Sequence, residues 1–296
     1  MSDYTIKHYQ QGFEEEQAKI GTEIAKRYAA PHQTPANILK ERYSQEGFDP
    51  ETRLYAFKGD KMVGFLTSRI LDIEEDGIKK ANLTPPQVLY EHDKIASKML
   101  LDKALEVLKK KGVQKVISQF GARASKDEEQ AKKWGFNVVA TNYYVYELVF
   151  SKIDTKIPID KVVDFNYDKH LQGACKILAS ETGQTEEWAK GIFDRWQQNP
   201  DPNRGTFIIE EKGEIKAYTS IFVNNIVPNQ GGLFGIWAAN QNYMKQLLSK
   251  IAQFSKEKNI NKITLGFTEE TDIKQDKYKP IPYKLIATGT TFEKDL

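Results

Sequence analysis

Residues 98–120, KMLLDKALEVLKKKGVQKVISQF, and residues 245–267, KQLLSKIAQFSKEKNINKITLGF, lie on one another without a gap after a shift of 147 positions. Lys98/Lys245, Leu100/Leu247, Leu101/Leu248, Lys103/Lys250, Lys109/Lys256, Lys111/Lys258, Lys115/Lys262 and Phe120/Phe267 are identical pairs. Each stretch reads as a long amphipathic helix followed by a short strand. The same shift brings Ala140-Thr141 onto Ala287-Thr288. Upstream, Lys58-Gly59-Asp60 and then Gly64-Phe65-Leu66-Thr67-Ser68 answer Lys212-Gly213-Glu214 and then Ala217-Tyr218-Thr219-Ser220 at slightly different offsets. Lysine-rich helices match by chance, but a helix, its following strand and a late strand agreeing at one shift do not follow from composition. A period near 150 residues is domain-sized, too long for a solenoid repeat. The chain reads as two copies of one domain.

Composition agrees. A length of 296 residues suits about two domains, and each half is long enough to bury its own core. There are 43 Lys and Arg against 41 Asp and Glu, and each half carries a net charge of +1. Neither half has the basic excess of a nucleic-acid binder, so no nucleic-acid partner is expected. Lys109-Lys110-Lys111 falls at a helix C-terminus, where cations suit the dipole and face water. Cys175 is the only cysteine, which excludes an intrachain disulfide and a cysteine metal cluster. His8, His32, His92 and His170 show no ligand spacing, so no metal is expected. No apolar run reaches membrane-spanning length and the N-terminus lacks a signal-peptide profile. The expectation is a soluble, cytoplasmic protein with no membrane partner.

The first copy reads as a strand at 4–9, helices at 14–27 and 36–43 separated by Pro31, and a hairpin at 53–71 turning at Lys58-Gly59-Asp60. An extended segment at 81–89 follows, and its tandem Pro85-Pro86 belongs at an edge, bulge or strand end. Then come a helix at 95–110 closed by Gly112, a strand at 116–120, a helix at 127–134 ended by Gly135 and an extended tail at 138–150. Residues 151–161 are polar, include Pro158 and read as a linker. The second copy runs similarly, with a strand at 161–165, helices at 168–180 and 186–197 and a hairpin at 206–223. A strand at 232–237, a helix at 242–258, a strand at 262–267, an irregular piece at 272–278 and a last strand at 284–292 complete it. Such order implies an α+β fold with one twisted mixed sheet flanked by helices in each copy, divided as 1–152 and 160–296. Trp188, Phe193 and Trp196 are spaced to pack one helix face on its sheet.

This order of elements resembles the GNAT superfamily of N-acetyltransferases. The resemblance is sharpest at Lys132-Lys133-Trp134-Gly135-Phe136, similar to the family's apolar Gly-Phe ending of its penultimate helix, and at the closing strands 138–148. It implies tandem GNAT-like domains with acetyl-coenzyme A (acetyl-CoA), or another acyl-CoA, as co-substrate. The pantetheine arm enters where the fourth and fifth strands splay, and the pyrophosphate rests on the N-terminus of the long helix. The family's small-residue pyrophosphate loop is degenerate in both copies. In the first, Glu91 and Asp93 oppose phosphate, Lys94 offsets part of that, and Asp93 is a ready helix cap. In the second, Ala238-Ala239-Asn240-Gln241-Asn242-Tyr243 has no carboxylate, and Asn240 or Asn242 serves as a cap. The second copy is therefore the expected cofactor-binding one, through Leu233, Ile236, Ala238, Asn240, Gln241, Asn242 and Tyr243; a plain helix cap explains the same residues.

The family places a tyrosine on the penultimate helix to protonate the departing thiolate. Ala131 stands there in the first copy, and the shift of 147 puts Tyr278 there in the second. Tyr278 is thus the candidate acid, with packing as the alternative. Glu269, with Glu270 and Asp272 beside it, is the candidate base; a solvated acidic loop is the alternative. The resemblance implies an N-acyltransferase acting by direct transfer on a small-molecule or peptide amine. The competing reading is a non-catalytic double-GNAT scaffold or ligand-binding protein. Acceptor and oligomeric state are not legible.

Overall fold

The computed structural model describes residues 3–72, 77–120, 125–267 and 276–296. It divides into two compact units, Met1–Asn142 with Ala287–Leu296, and Tyr143–Ile286. Both are α+β.

In the first unit β1 (Tyr4–His8) leads to α1 (Glu14–Ala25) and α2 (Ala36–Tyr43). The hairpin β2 (Arg53–Lys58) and β3 (Lys61–Ile70) follows, then β4 (Lys80–Leu83) and β5 (Gln87–Val88). The long helix α3 (Asp93–Lys110), β6 (Lys115–Phe120) and α4 (Ser125–Lys133) come next, and β7 (Asn137–Leu148) closes the first half of the sequence. Strand alternation, with a register shift at Val63 of β3, sorts side chains into two cores. Leu54, Ala56, Val63 and Leu66 pack with Leu100, Leu101 and Leu108 of α3, while Tyr55, Phe57, Met62 and Phe65 pack with Ile20 and Ile24 of α1. The tandem proline does what its missing N–H requires. It ends β4, and the chain resumes as β5 against β3, with Gly64 opposite Val88. A Cβ on Gly64 would stand 2.7 Å from the Gln87 carbonyl oxygen, so only glycine permits this approach.

In the second unit β8 (Val162–Asp164) leads to α5 (Tyr167–Thr182) and α6 (Glu186–Gln198). β9 (Arg204–Glu211), β10 (Glu214–Val223), β11 (Gln230–Ala238), α7 (Gln241–Glu257), β12 (Lys262–Phe267) and β13 (Tyr283–Asp295) follow. The helix starts are capped as their sequences dictate. Asn166 accepts from the Lys169 N–H and Thr185 from the Trp188 N–H. Gly183, at φ +67°, ends α5 in the left-handed region. Phe193 is buried and Trp196 packs edge-on against it, but Trp188 is exposed, so only two of the three aromatics pack as expected.

The shift of 147 holds in the structure, carrying β6 end to end onto β12 and β7 onto all but the first residue of β13. The closing strands, however, are exchanged. β13 completes the first unit's sheet by pairing antiparallel with β6, Thr290 opposite Phe120 through Asp295 opposite Lys115. β7 completes the second unit's sheet by pairing with β12, Thr264 opposite Glu147 through Phe267 opposite Tyr144. The expected linker, 151–161, lies inside the second unit, and the divisions fall at 142/143 and 286/287 within the closing strands.

Candidate active site

β11 and β12 run parallel but pair only at Gln230/Lys262, Gly231/Ile263 and Gly232/Thr264. Beyond this β11 stays on β10 as far as Ala238, while β12 follows β7 to Phe267, so the two strands part. The cause is local. The β10–β11 register shifts between Thr219 and Ile221, and Gly235 sits at φ +79°, open to glycine alone without strain. The Thr219 hydroxyl donates to the Gly235 carbonyl at 3.1 Å, holding the bulge. Leu233, Ile236 and Ala238 lie on this parted stretch. Ile236 and Ala238 are buried in the core beneath α7 and Leu233 packs against it. Their side chains thus build the core, and the parted edge of β11 presents backbone.

At the start of α7, Asn240 is the cap. Its side-chain oxygen accepts from the Tyr243 N–H at 2.9 Å, and the Ala239 N–H is bonded to the Lys216 carbonyl. Of the four amides expected to meet phosphate, Tyr243's is therefore taken. Those of Gln241 and Asn242 lie in the first turn, where no intrahelical acceptor exists, and both residues are exposed. The expectation of a helix start without acidic neighbours is corrected by the tertiary structure. The Glu211 carboxylate, at the end of β9, pushes the Tyr243 pKa up. Lys161 lies 2.8 Å from Glu211 and holds its carboxyl below the usual range.

Tyr278 ends a 3-10 turn, Asp276–Tyr278, closed by the Lys279 N–H on the Asp276 carbonyl at 3.3 Å, and a second turn follows with the Ile281 N–H on the Tyr278 carbonyl at 2.9 Å. Its ring is buried, edge-to-face with Phe267 at 5.7 Å, where β12 has left β11. Its hydroxyl donates to Glu181 Oε2 at 2.6 Å. Glu181 was not anticipated. The available signal was an acid in the last turn of α5, where the helix dipole favours cations. Glu269, Glu270 and Asp272 lie outside the described residues.

The first unit parts its parallel strands likewise. β4 and β6 pair from Lys80/Lys115 to Asn82/Ile117, and the Ser118 hydroxyl then takes up the Leu83 carbonyl at 2.6 Å. The tyrosine position holds Ala131, fully buried. The cap of α3 is His92, not Asp93, and the His92 side chain does not cap. Its Nδ1 is hydrogen-bonded to the Tyr4 hydroxyl at 2.8 Å and its Nε2 lies 3.7 Å from Glu91. Among the described residues no group of three or more His, Cys, Asp or Glu is placed to hold a metal, and no helix is long and apolar enough to cross a membrane.

By sequence, neither a protein-family profile nor a curated protein matches the chain. Solved structures do. A tandem GNAT protein from the clavulanic acid biosynthesis pathway superposes with a TM-score of 0.65 at 11% identity, over 99% of this chain and 98% of that one. An acetyltransferase of the GNAT family from Colwellia psychrerythraea gives 0.62 at 14% identity, covering 98% and 99%. A GCN5-related N-acetyltransferase from Sphaerobacter thermophilus gives 0.61 at 10% identity, covering 100% and 96%. The chain has the tandem GNAT fold.

Proposed function

We propose that the protein is an acyl-CoA-dependent N-acyltransferase, that it moves an acetyl or related acyl group directly onto a primary amine of a small molecule or peptide, and that the second unit carries the chemistry. The observation that supports this most is the Tyr278–Glu181 hydrogen bond beside the parting of β11 and β12. It joins a proton donor to a proton acceptor. Glu181 takes one proton of the attacking ammonium, the nitrogen lone pair forms the new bond to the thioester carbonyl carbon, the second surplus nitrogen proton leaves to solvent, and the carbon–sulfur bond breaks. Tyr278 protonates the leaving sulfur and recovers its proton from Glu181. Leu233, Ile236 and Ala238 hold the strand along which pantetheine runs. The helix start from Asn240 to Tyr243 faces the phosphates, with the Gln241 and Asn242 amides as donors.

The test is acetyl-CoA turnover with a panel of small amines and peptides, read as free thiol. Wild type should turn over and Tyr278→Phe should be about 10²–10⁴-fold slower. The alternative, a non-catalytic double-GNAT scaffold or ligand-binding protein, is favoured by one observation: the Asn240 cap already occupies the Tyr243 amide. Acyl-CoA failing to raise the melting temperature of wild type at millimolar concentration would decide for that alternative.

A further inference from the structure

The first unit carries two adjoining cavities, of about 480 Å³ and about 300 Å³, which share Arg53, Thr67 and Thr84. The larger lies over β3, β4 and β6; the smaller lies between α1, α2 and β3. Together they form a trough within the range of small-molecule sites. Its charge is one-sided. Arg69 lines the larger cavity, Arg42 and His32 line the smaller, Arg53 lines both, and among the described residues no Asp or Glu lines either.

Arg53 is the decisive group. Its guanidinium is half-buried and charged at every physiological pH, yet its partners are neutral. Nη1 donates to the Thr52 carbonyl at 3.2 Å, to the Thr52 hydroxyl at 2.8 Å and to the Ser68 carbonyl. The rings of Tyr43 and Phe48 lie 5.4 and 5.5 Å away, and Nε is buried with no partner. Charges withdrawn from water are ordinarily paired with a counter-charge; none of the described residues supplies one here. Among the described residues, Arg42 and Arg69 also have no ion-pair partner, and both are exposed. Glu14, a buried carboxylate of α1, is engaged by the Tyr9 hydroxyl and the Gly12 N–H.

We propose that the first unit binds a small molecule bearing an oxyanion, carboxylate or phosphate, in this trough, with Arg53 and Arg69 neutralising it. The proposal does not rest on acyl transfer in the second unit. Isothermal titration of the full chain with citrate and, separately, inorganic phosphate, at ionic strength matched with sodium chloride, tests it. Saturable binding is expected for at least one: citrate alone marks a carboxylate ligand, phosphate alone a phosphate ligand, and both mark recognition of oxyanions in general. Arg53→Gln should weaken the dissociation constant about tenfold or more, the scale of a lost charge-assisted hydrogen bond. Arg53 also ties β2 to β3, so Arg69→Gln, on an exposed side chain, is the second variant, with a loss of a few-fold. Tyr278→Phe should bind like wild type. No saturable binding of either anion, or binding unaltered in Arg69→Gln and in a folded Arg53→Gln, overturns the proposal.

Discussion

Where their parallel strands part, the two units hold different chemistry. The first unit presents Ser118 against the Leu83 carbonyl, a buried alanine at 131 and a trough lined by arginines. The second presents Tyr278 bonded to Glu181 and a helix start capped by Asn240. Both nevertheless keep a long helix on one face, an αα pair on the other and a three-residue parallel ladder that then opens. The lesson is that burial constrains the frame and leaves the polar and charged groups beside the gap free to differ. Leu100 and Leu247 are each fully buried at shift-matched positions, and neither can change without a cavity. Glu181, Arg53 and Arg69, beside the parted strands, belong to none of the buried cores, so these positions can differ between the copies without opening a cavity.

The largest expected effect tests that division. In a turnover assay, Tyr278→Phe should lower the rate by about 10²–10⁴-fold, and Glu181→Gln should fall in the same range because it removes the partner that accepts the proton. Cofactor binding should barely change in either. Loss of turnover on disabling the first unit's Arg69, with Tyr278→Phe still active, would reverse the assignment of roles.

The shared frame is tested by Leu100→Ala and Leu247→Ala. Each should cost about 2–5 kcal/mol, measured by denaturant unfolding. A large loss at one position and none at the other would mean that the units do not rest on equivalent cores.

A smaller effect sharpens the contrast between the helix starts. Asn242→Asp should weaken acyl-CoA binding several-fold, with the loss shrinking at high salt, while favouring α7 itself through its dipole. Glu91→Gln at the matching end of α3 should leave acyl-CoA affinity unchanged. Improved affinity in Glu91→Gln would place the cofactor in the first unit.

The smallest effect concerns the buried ionisable group near the start of each unit's first helix, Glu14 in one and His170 in the other. Burial, then Lys169, holds the His170 pKa below its usual value, and Glu210 opposes them. The Asn166 N–H donates to its Nδ1 at 2.8 Å, which requires that nitrogen unprotonated. The fold therefore favours neutral imidazole. This contribution is present above about pH 6.5, the unfolded value, and is lost as pH falls through the folded pKa. His170→Gln should flatten the fall in stability as pH drops below about 6.5, read from urea midpoints between about pH 7.5 and 5. An unchanged slope would show that His170 is as easily protonated folded as unfolded.

The duplication, the αα pair and hairpin of each copy and the strand at 262–267 were legible because hydrophobic periodicity, capping residues and glycines act over a few neighbours. Asn240 was readable as a cap for that reason. His92 displaced Asp93 from the cap of α3 because a preceding 3-10 turn, Tyr90–His92, sets where helical geometry begins. Glu181 was missed because it meets Tyr278 across 97 positions of sequence, and no local pattern encodes that meeting. Glu211 reached the start of α7 in the same way.

By itself the sequence determined that there are two copies, which segments are helices and strands, and that each copy has a sheet between helical layers. These follow from side-chain period and backbone preference, which are local. Only the tertiary structure decided that β7 and β13 exchange sheets, that Arg53 meets no counter-charge among the described residues and that Tyr278 has a carboxylate partner. Each of these depends on strand register and on what burial brings together, and a one-residue slip of register turns every side chain to the opposite face.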